Sequence, residues 1–132
     1  MNYIYTIKQI LLLKNIAVVG ISPKKQRPSY FVSSYMKQNG YNIIPINPNY
    51  KMIDNLRCYP SLESVKTTID TVAIFRRSEL VMPIIKSAIY IKAKAIWMQD
   101  NVINKNAENV AKAAGLMVIM NDCMLRQYQL KG

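Results

Sequence analysis

Apolar positions along the chain follow two alternating patterns. Short continuous runs occur at Ile16-Ala17-Val18-Val19-Gly20, Asn42-Ile43-Ile44-Pro45-Ile46, Asp70-Thr71-Val72-Ala73-Ile74-Phe75, Ala95-Ile96-Trp97-Met98 and Leu116-Met117-Val118-Ile119-Met120. Runs with no polar face predict buried parallel strands. Pro45 is awkward inside a central strand and belongs near a strand's end. Between the runs, apolar residues recur at helical spacing. Tyr3 to Leu13, with Ile4, Ile7, Ile10 and Leu11, predicts an amphipathic helix that covers the core. Pro28 fits the first turn of a helix running through Tyr30, Phe31 and Met36 and stopped at Asn39-Gly40. Further helices are predicted over Glu79 to Tyr90, with Pro83 in the first turn, and over Asn104 to Ala114, stopped by Gly115. Ser61 is placed to cap a short helix through Val65, and the residues after Met120 suit another short helix.

Strands alternating with helices predict a Rossmann-like, doubly wound α/β fold of about five parallel strands, with helices on both faces. With 132 residues, the chain fits one domain. In such sheets ligands bind beyond the carboxyl ends of the strands. The segments that matter are therefore Gly20 to Ser29, Asn47 to Lys51, Phe75 to Ser78, Gln99 to Asn101 and Asn121 to Met124.

Charge sharpens the picture at those segments. Lys and Arg total 18 against 7 Asp and Glu, a formal charge of +11. The excess favours anionic partners, although an Ile-, Lys-, Asn- and Tyr-rich composition also fits lysines scattered on a solvated surface. Positions decide more than the sum. Lys24, Lys25 and Arg27 follow the first strand, Lys51 the second, and Arg76 and Arg77 the third. The first group leads into a helix N-terminus, where backbone N–H groups and the dipole favour phosphate. Ser22 and Ser29 add hydroxyls there. The pattern points to a ligand with several phosphates.

NAD fits poorly. Its fingerprint needs G-x-G-x-x-G and an acid at the end of the second strand. Only Gly20 is present, and the second strand ends in Asn47-Pro48. NADP is less disfavoured, because Lys51 can meet a 2′-phosphate. Coenzyme A offers a pyrophosphate and a 3′-phosphate and needs no acid there.

Ile16 to Ser22 with Arg27-Pro28-Ser29 resembles the opening of the stand-alone CoA-binding domain (YccU-like) family. Gly40-Tyr41 with Ile44 to Pro48 is similar to its second block, and Asp70-Thr71-Val72 with Phe75-Arg76-Arg77 to its third. Ile96-Trp97-Met98-Gln99 is similar to the fourth, and Ala114-Gly115-Leu116 with Asp122-Cys123 to the last. The family is similar in turn to the nucleotide-binding domain of the succinyl-CoA synthetase α chain. The resemblance implies coenzyme A lying across the carboxyl edge of the sheet. It implies that Gly20, Ser22, Arg27 and Ser29 hold the pyrophosphate, and Lys24 is counted among the coenzyme-binding residues with them. Asn47, Pro48 and Lys51 would border the adenosine and its 3′-phosphate. Phe75, Arg76 and Arg77 would flank the ligand further along, followed by Trp97 and Gln99. Core packing remains an alternative for Trp97 and Phe75, and a turn role for Pro48. One departure stands out. Where such proteins carry an acid and a histidine after the final cysteine, this chain reads Met124-Leu125-Arg126-Gln127-Tyr128.

The chain contains no histidine. That excludes histidine as a general base, as a metal ligand and as a phosphoryl carrier. Cys58 and Cys123 show no zinc or disulfide-framework spacing, which suits a reducing, cytoplasmic compartment. Lys8, Gln9, Lys14 and Asn15 break the first apolar run, so no membrane span is expected. The expectation is a coenzyme A or acyl-CoA binding protein, without metal and without complete catalytic machinery of its own. Alternatives are an NADP-binding or partner-dependent enzyme module and, less favoured, a basic nucleic-acid binder. Cys123 can be read as a thiol that exchanges with coenzyme A or as a buried strand-end residue. A homodimer through the first helix, or another protein partner, stays open.

Overall fold

The structure, a computed structural model, describes residues 2–131. In chain order its strands are β1 (Asn15–Val19), β2 (Asn42–Ile46), β3 (Met52–Ile53), β4 (Leu56–Arg57), β5 (Thr71–Ile74), β6 (Ala95–Met98) and β7 (Met117–Ile119). Its helices are α1 (Tyr3–Leu11), α2 (Pro28–Gln38), α3 (Val81–Tyr90), α4 (Lys105–Ala113) and α5 (Met124–Leu130). Five strands form a parallel sheet in the order β2-β1-β5-β6-β7. This is the doubly wound order whose chain reversal lies between β1 and β5.

The strands are apolar on both faces because both faces are covered. Ile16, Val18, Ala73, Ala95, Trp97 and Ile119 pack under α1, α2 and α5, together with Ile10, Met36 and Met124. Ala17, Val72, Ile74, Ile96, Met98 and Val118 face α3 and α4. There Ala88, Ala107 and Ala111 are fully buried, and their small side chains let the two helices approach closely.

Pro45 sits within β2, opposite Val18. Its carbonyl accepts from Tyr59 N at 2.9 Å on the outer side of the strand. Its nitrogen shares that side, so the missing N–H breaks no bond to β1. The residues after β4 run along this edge, and Asn47 N donates back to Tyr59 O at 2.9 Å. An open sheet edge is thereby covered.

The β3–β4 hairpin has no counterpart in the sequence expectations. Its turn residues Asp54 and Asn55 have φ of 52° and 61°. Positive values at both central positions are those of the type I′ form of a two-residue hairpin turn. Tyr30 Oη donates to Asp54 Oδ1 at 2.9 Å and Lys37 Nζ lies 3.2 Å from Oδ2, which ties the hairpin to α2.

Three helix limits differ from expectation. The first helix ends at Leu11 rather than Leu13, because Leu13 N donates to Ile10 O and tightens the last turn. Tyr41 Oη donates to Leu11 O and fixes that end, and burial pushes its phenol up to about 12. The Ser61-capped segment is a single 3-10 turn, Leu62–Ser64. Residues Ser78–Leu80 form another 3-10 turn, so α3 starts at Val81.

Candidate functional site

The carboxyl ends of the strands frame two clefts. The larger, of about 840 Å³, lies between the β1–α2 loop and the segments after β5, β6 and β7. The smaller, of about 420 Å³, lies between the end of β2, Pro60 to Glu63 and the start of α3. Gly20 and Arg76 line both. The ridge between the clefts is thus the β1–β5 reversal.

Gly20 makes that ridge possible. Its φ is +86°, and a Cβ there would lie 2.5 Å from Phe75 O and 2.8 Å from Arg76 Cδ. The next segment is held by its own polar groups. Ser22 N donates to Ser29 Oγ at 2.9 Å, Lys24 N to Ser22 Oγ at 3.1 Å, and Arg27 N to Lys24 O at 3.0 Å. Asn47 Nδ2 donates to Ile21 O at 2.9 Å, which links β2 to the same loop. The loop delivers the chain to α2, whose start carries no side-chain cap. Arg27 precedes Pro28 and stands on the wall of the larger cleft.

The expected residues divide as follows. Gly20, Ser22, Arg27, Ser29, Phe75, Arg76, Arg77 and Gln99 come together around the larger cleft. Asn47 and Pro48 line the smaller one. Ser29 is buried, and its hydroxyl already accepts from Ser22 N, so it shapes the loop. Lys24 and Lys51 are exposed and lie outside the walls of both clefts. Trp97 takes the core-packing alternative: it is fully buried in the core beneath α1, α2 and α5. Its Nε1 donates to Asp122 O at 3.0 Å. The alternation of β6 explains this, since Ile96 and Met98 on either side of Trp97 face α3 and α4.

The far end of the larger cleft is closed by a charge cluster. Arg126 Nη1 and Nη2 donate to the two Asp100 oxygens at 3.1 and 2.9 Å, and Nη2 also to Asp122 Oδ1 at 2.8 Å. These hydrogen bonds hold the Asp100 carboxyl below its ordinary range. Asp122 also accepts from Tyr3 Oη and from Gln127 Nε2. Arg126 is therefore neutralised by acids, whereas Arg27 and Arg76 make no salt bridge among the described residues. Arg77 lies 3.9 Å from Glu79, both largely exposed. The basic wall sits at the β1–β5 end.

Several lining residues were not anticipated from sequence. Phe31, Val102, Leu125 and Arg126 line the larger cleft, and Pro60, Leu62, Leu80 and Pro83 the smaller. Arg126 and Cys123 follow β7, so the carboxyl-edge rule itself pointed towards them. Cys123 is half-buried on the cleft wall. Cys58 is buried; its Sγ donates to Asn47 O at 3.4 Å, and burial pushes its thiol up. Among the described residues no group of three or more His, Cys, Asp or Glu is placed to hold a metal. None of their helices is long and apolar enough to cross a membrane.

A five-stranded parallel sheet in doubly wound order, with helices on both faces, defines the class of Rossmann-like α/β domains. Within it, the chain belongs to the CoA binding domain family, which it matches over residues 14–129. It is 37% identical over 119 residues to the uncharacterized protein YneT of Bacillus subtilis, covering 89% of this chain and 88% of that one. It is 25% identical over 128 residues to an ADP-forming acetate–CoA ligase of Methanocaldococcus jannaschii, covering 91% of this chain but only 18% of the ligase. A solved hypothetical protein from Pyrococcus horikoshii shares the fold with a TM-score of 0.94 and 35% identity, over 98% of this chain and 92% of that one.

Proposed function

We propose that this chain binds coenzyme A or an acyl-CoA along the two clefts and completes no reaction alone. One observation carries the reading. In a member of the CoA binding domain family, Gly20 lets β1 and the segment after β5 meet closely at the chain reversal, and Arg27 and Arg76 stand on the cleft wall there without an acidic partner among the described residues. The loop from Ser22 to Ser29 and the uncapped start of α2 suit a pyrophosphate. Asn47 and Pro48 in the smaller cleft suit the adenosine. Lys51, exposed a few residues after Asn47, is assigned to the 3′-phosphate on its charge and its place after β2. The residues present fit the coenzyme: Arg27, Arg76 and Arg77 line the cleft where the phosphates would lie, beside the uncapped start of α2. The absence of histidine from the sequence and the pairing of Asp100 with Arg126 leave the cleft poor in proton-transfer groups.

A second reading has its own support. The acetate–CoA ligase relative is several times longer, and this chain spans 18% of it. The chain then serves as the coenzyme-carrying module of a larger assembly, with the chemistry supplied by a partner.

Thermal unfolding with a ligand panel tests both. A ligand at a hundredfold excess over its Kd adds about 2.7 kcal/mol of stability. Coenzyme A should raise the melting temperature more than dephospho-CoA, NADP or NAD at equal concentration. If NADP stabilises and coenzyme A does not, the coenzyme reading fails. Co-purification of a second protein that confers turnover would favour the module reading.

A further inference from the structure

The two edges of the five-stranded sheet are finished differently. At the β2 edge the chain covers itself, through the bonds that join Pro45 and Asn47 to Tyr59. At the far edge, β7 has β6 on one side and no strand on the other. Met117 N donates to Lys94 O, and in a parallel ladder alternate residues bond the same neighbour, so Met117 and Ile119 serve β6. The N–H and C=O groups of Val118 and Met120 therefore point to the open side. No backbone group of the chain meets them there among the described residues.

This edge lies in a groove of about 440 Å³. Residues Leu116 to Met120 form its floor, Tyr3 and Thr6 of α1 one wall, and Glu108 and Lys112 of α4 the other. An unpaired edge of this kind accepts an extended segment as an added strand, whose main chain bonds the free groups. A second copy fits poorly. Its own β7 is recessed between its own α1 and α4, and each copy carries a formal charge of +11. A single extended segment reaches the floor.

The walls select the segment. Glu108, with its side chain 10% exposed, lies 3.0 Å from Lys105 and 3.3 Å from Lys112, whose side chains are mostly exposed. The carboxylate is neutralised within α4, and that wall keeps one positive charge in excess. On the α1 wall, Tyr3 Oη donates to Asp122 and Thr6 Oγ1 to Asn2 O, so a ring and a methyl group are what this wall offers. Successive side chains of a strand point to opposite faces. The segment that fits turns acidic side chains towards α4 and apolar ones towards α1.

We propose that the β7 edge docks an extended segment of another protein, with alternating acidic and apolar residues, as an added strand. The groove shares no lining residue with the two clefts, so the proposal stands apart from the coenzyme reading.

Two acetylated, amidated peptides serve as probes, one alternating valine with glutamate and the other valine with lysine. Amide hydrogen exchange is followed residue by residue in the whole chain. At a tenfold excess over its Kd, the glutamate peptide should slow exchange at Val118 and Met120 by about tenfold. Met117 and Ile119, already bonded to β6, should not change. Lys112→Gln should weaken this peptide by about threefold, the size of one exposed ion pair. Val118→Pro removes an N–H that β6 does not use, and it should abolish the protection at Met120. If that variant fails to fold, Lys112→Gln carries the test. No protection at millimolar glutamate peptide, or equal protection by the lysine peptide, overturns the proposal. Dimerisation that protects the same amides without peptide would assign the edge to a second copy and overturn it as well.

Discussion

Replacing Gly20 by alanine should destabilise the fold by an amount that its geometry sets. Two costs add. An L side chain at φ +86° costs about 1–2 kcal/mol, as for other left-handed positions. The new Cβ would also lie 2.5 Å from Phe75 O, a backbone atom that cannot rotate away. Reaching ordinary contact needs a retreat of about 1 Å. That retreat strains the Phe75 N to Val19 O bond at 2.9 Å, which joins β5 to β1 at the chain reversal. Overpacking of this kind costs about 1–3 kcal/mol. The sum is about 2–5 kcal/mol. With a urea slope of about 2 kcal/mol per molar, the midpoint should fall by about 1–2.5 M. Gly115 supplies the control, because its φ is +90° and a Cβ there meets nothing within 4 Å. Gly115→Ala should therefore show the conformational cost alone, a fall of about 0.5–1 M. Equal midpoints for the two variants would refute the claim that close approach at Phe75 demands glycine.

Three further outcomes are expected. Trp97→Phe should cost about 2–4 kcal/mol through lost volume and the lost bond to Asp122 O, with coenzyme affinity unchanged within about twofold; weaker binding at full stability would place the indole in the cleft. Alkylation at pH 8 should label Cys123 well before Cys58, whose thiol is buried and pushed up, and coenzyme A should slow the labelling of Cys123; labelling of Cys58 first, or no protection, would contradict this. The Arg126 hydrogen bonds that lower the Asp100 carboxyl stabilise the fold fully above its ordinary value of 3.8, and that contribution is lost as pH falls through the lowered value. The melting-temperature gap between wild type and Asp100→Asn should accordingly close in acid, and a gap that widens there would show the sign to be wrong.

How much was legible in the sequence depended on element length and on which faces were buried. Residues Ile16 to Val19 are apolar on both faces because helices cover both, and this made β1 and its parallel neighbours readable. The same property hid the direction of Trp97. In a strand with no polar face, nothing in the pattern says which side a given residue takes. The β3–β4 hairpin was invisible because two-residue strands cannot show alternation, and its turn is Asp54-Asn55 without glycine. At the site, the topology rule located the loops that frame the clefts, and the charges raised the expectation of an anionic ligand. The rule could not say that Lys24 would extend into solvent while Arg27, three residues on, would join the cleft wall. That depends on the Ser22–Ser29 bond, which folds the loop back on α2.

The central claim is that the basic cleft at the β1–β5 reversal holds coenzyme A. Its most direct test is calorimetric titration of coenzyme A into the wild-type chain, Arg27→Ala and Arg76→Ala. Each arginine contacting phosphate should contribute about 1.5–3 kcal/mol, so each variant should bind at least about tenfold more weakly without loss of thermal stability. Tight binding that neither substitution alters would place the coenzyme elsewhere on the molecule and contradict the account.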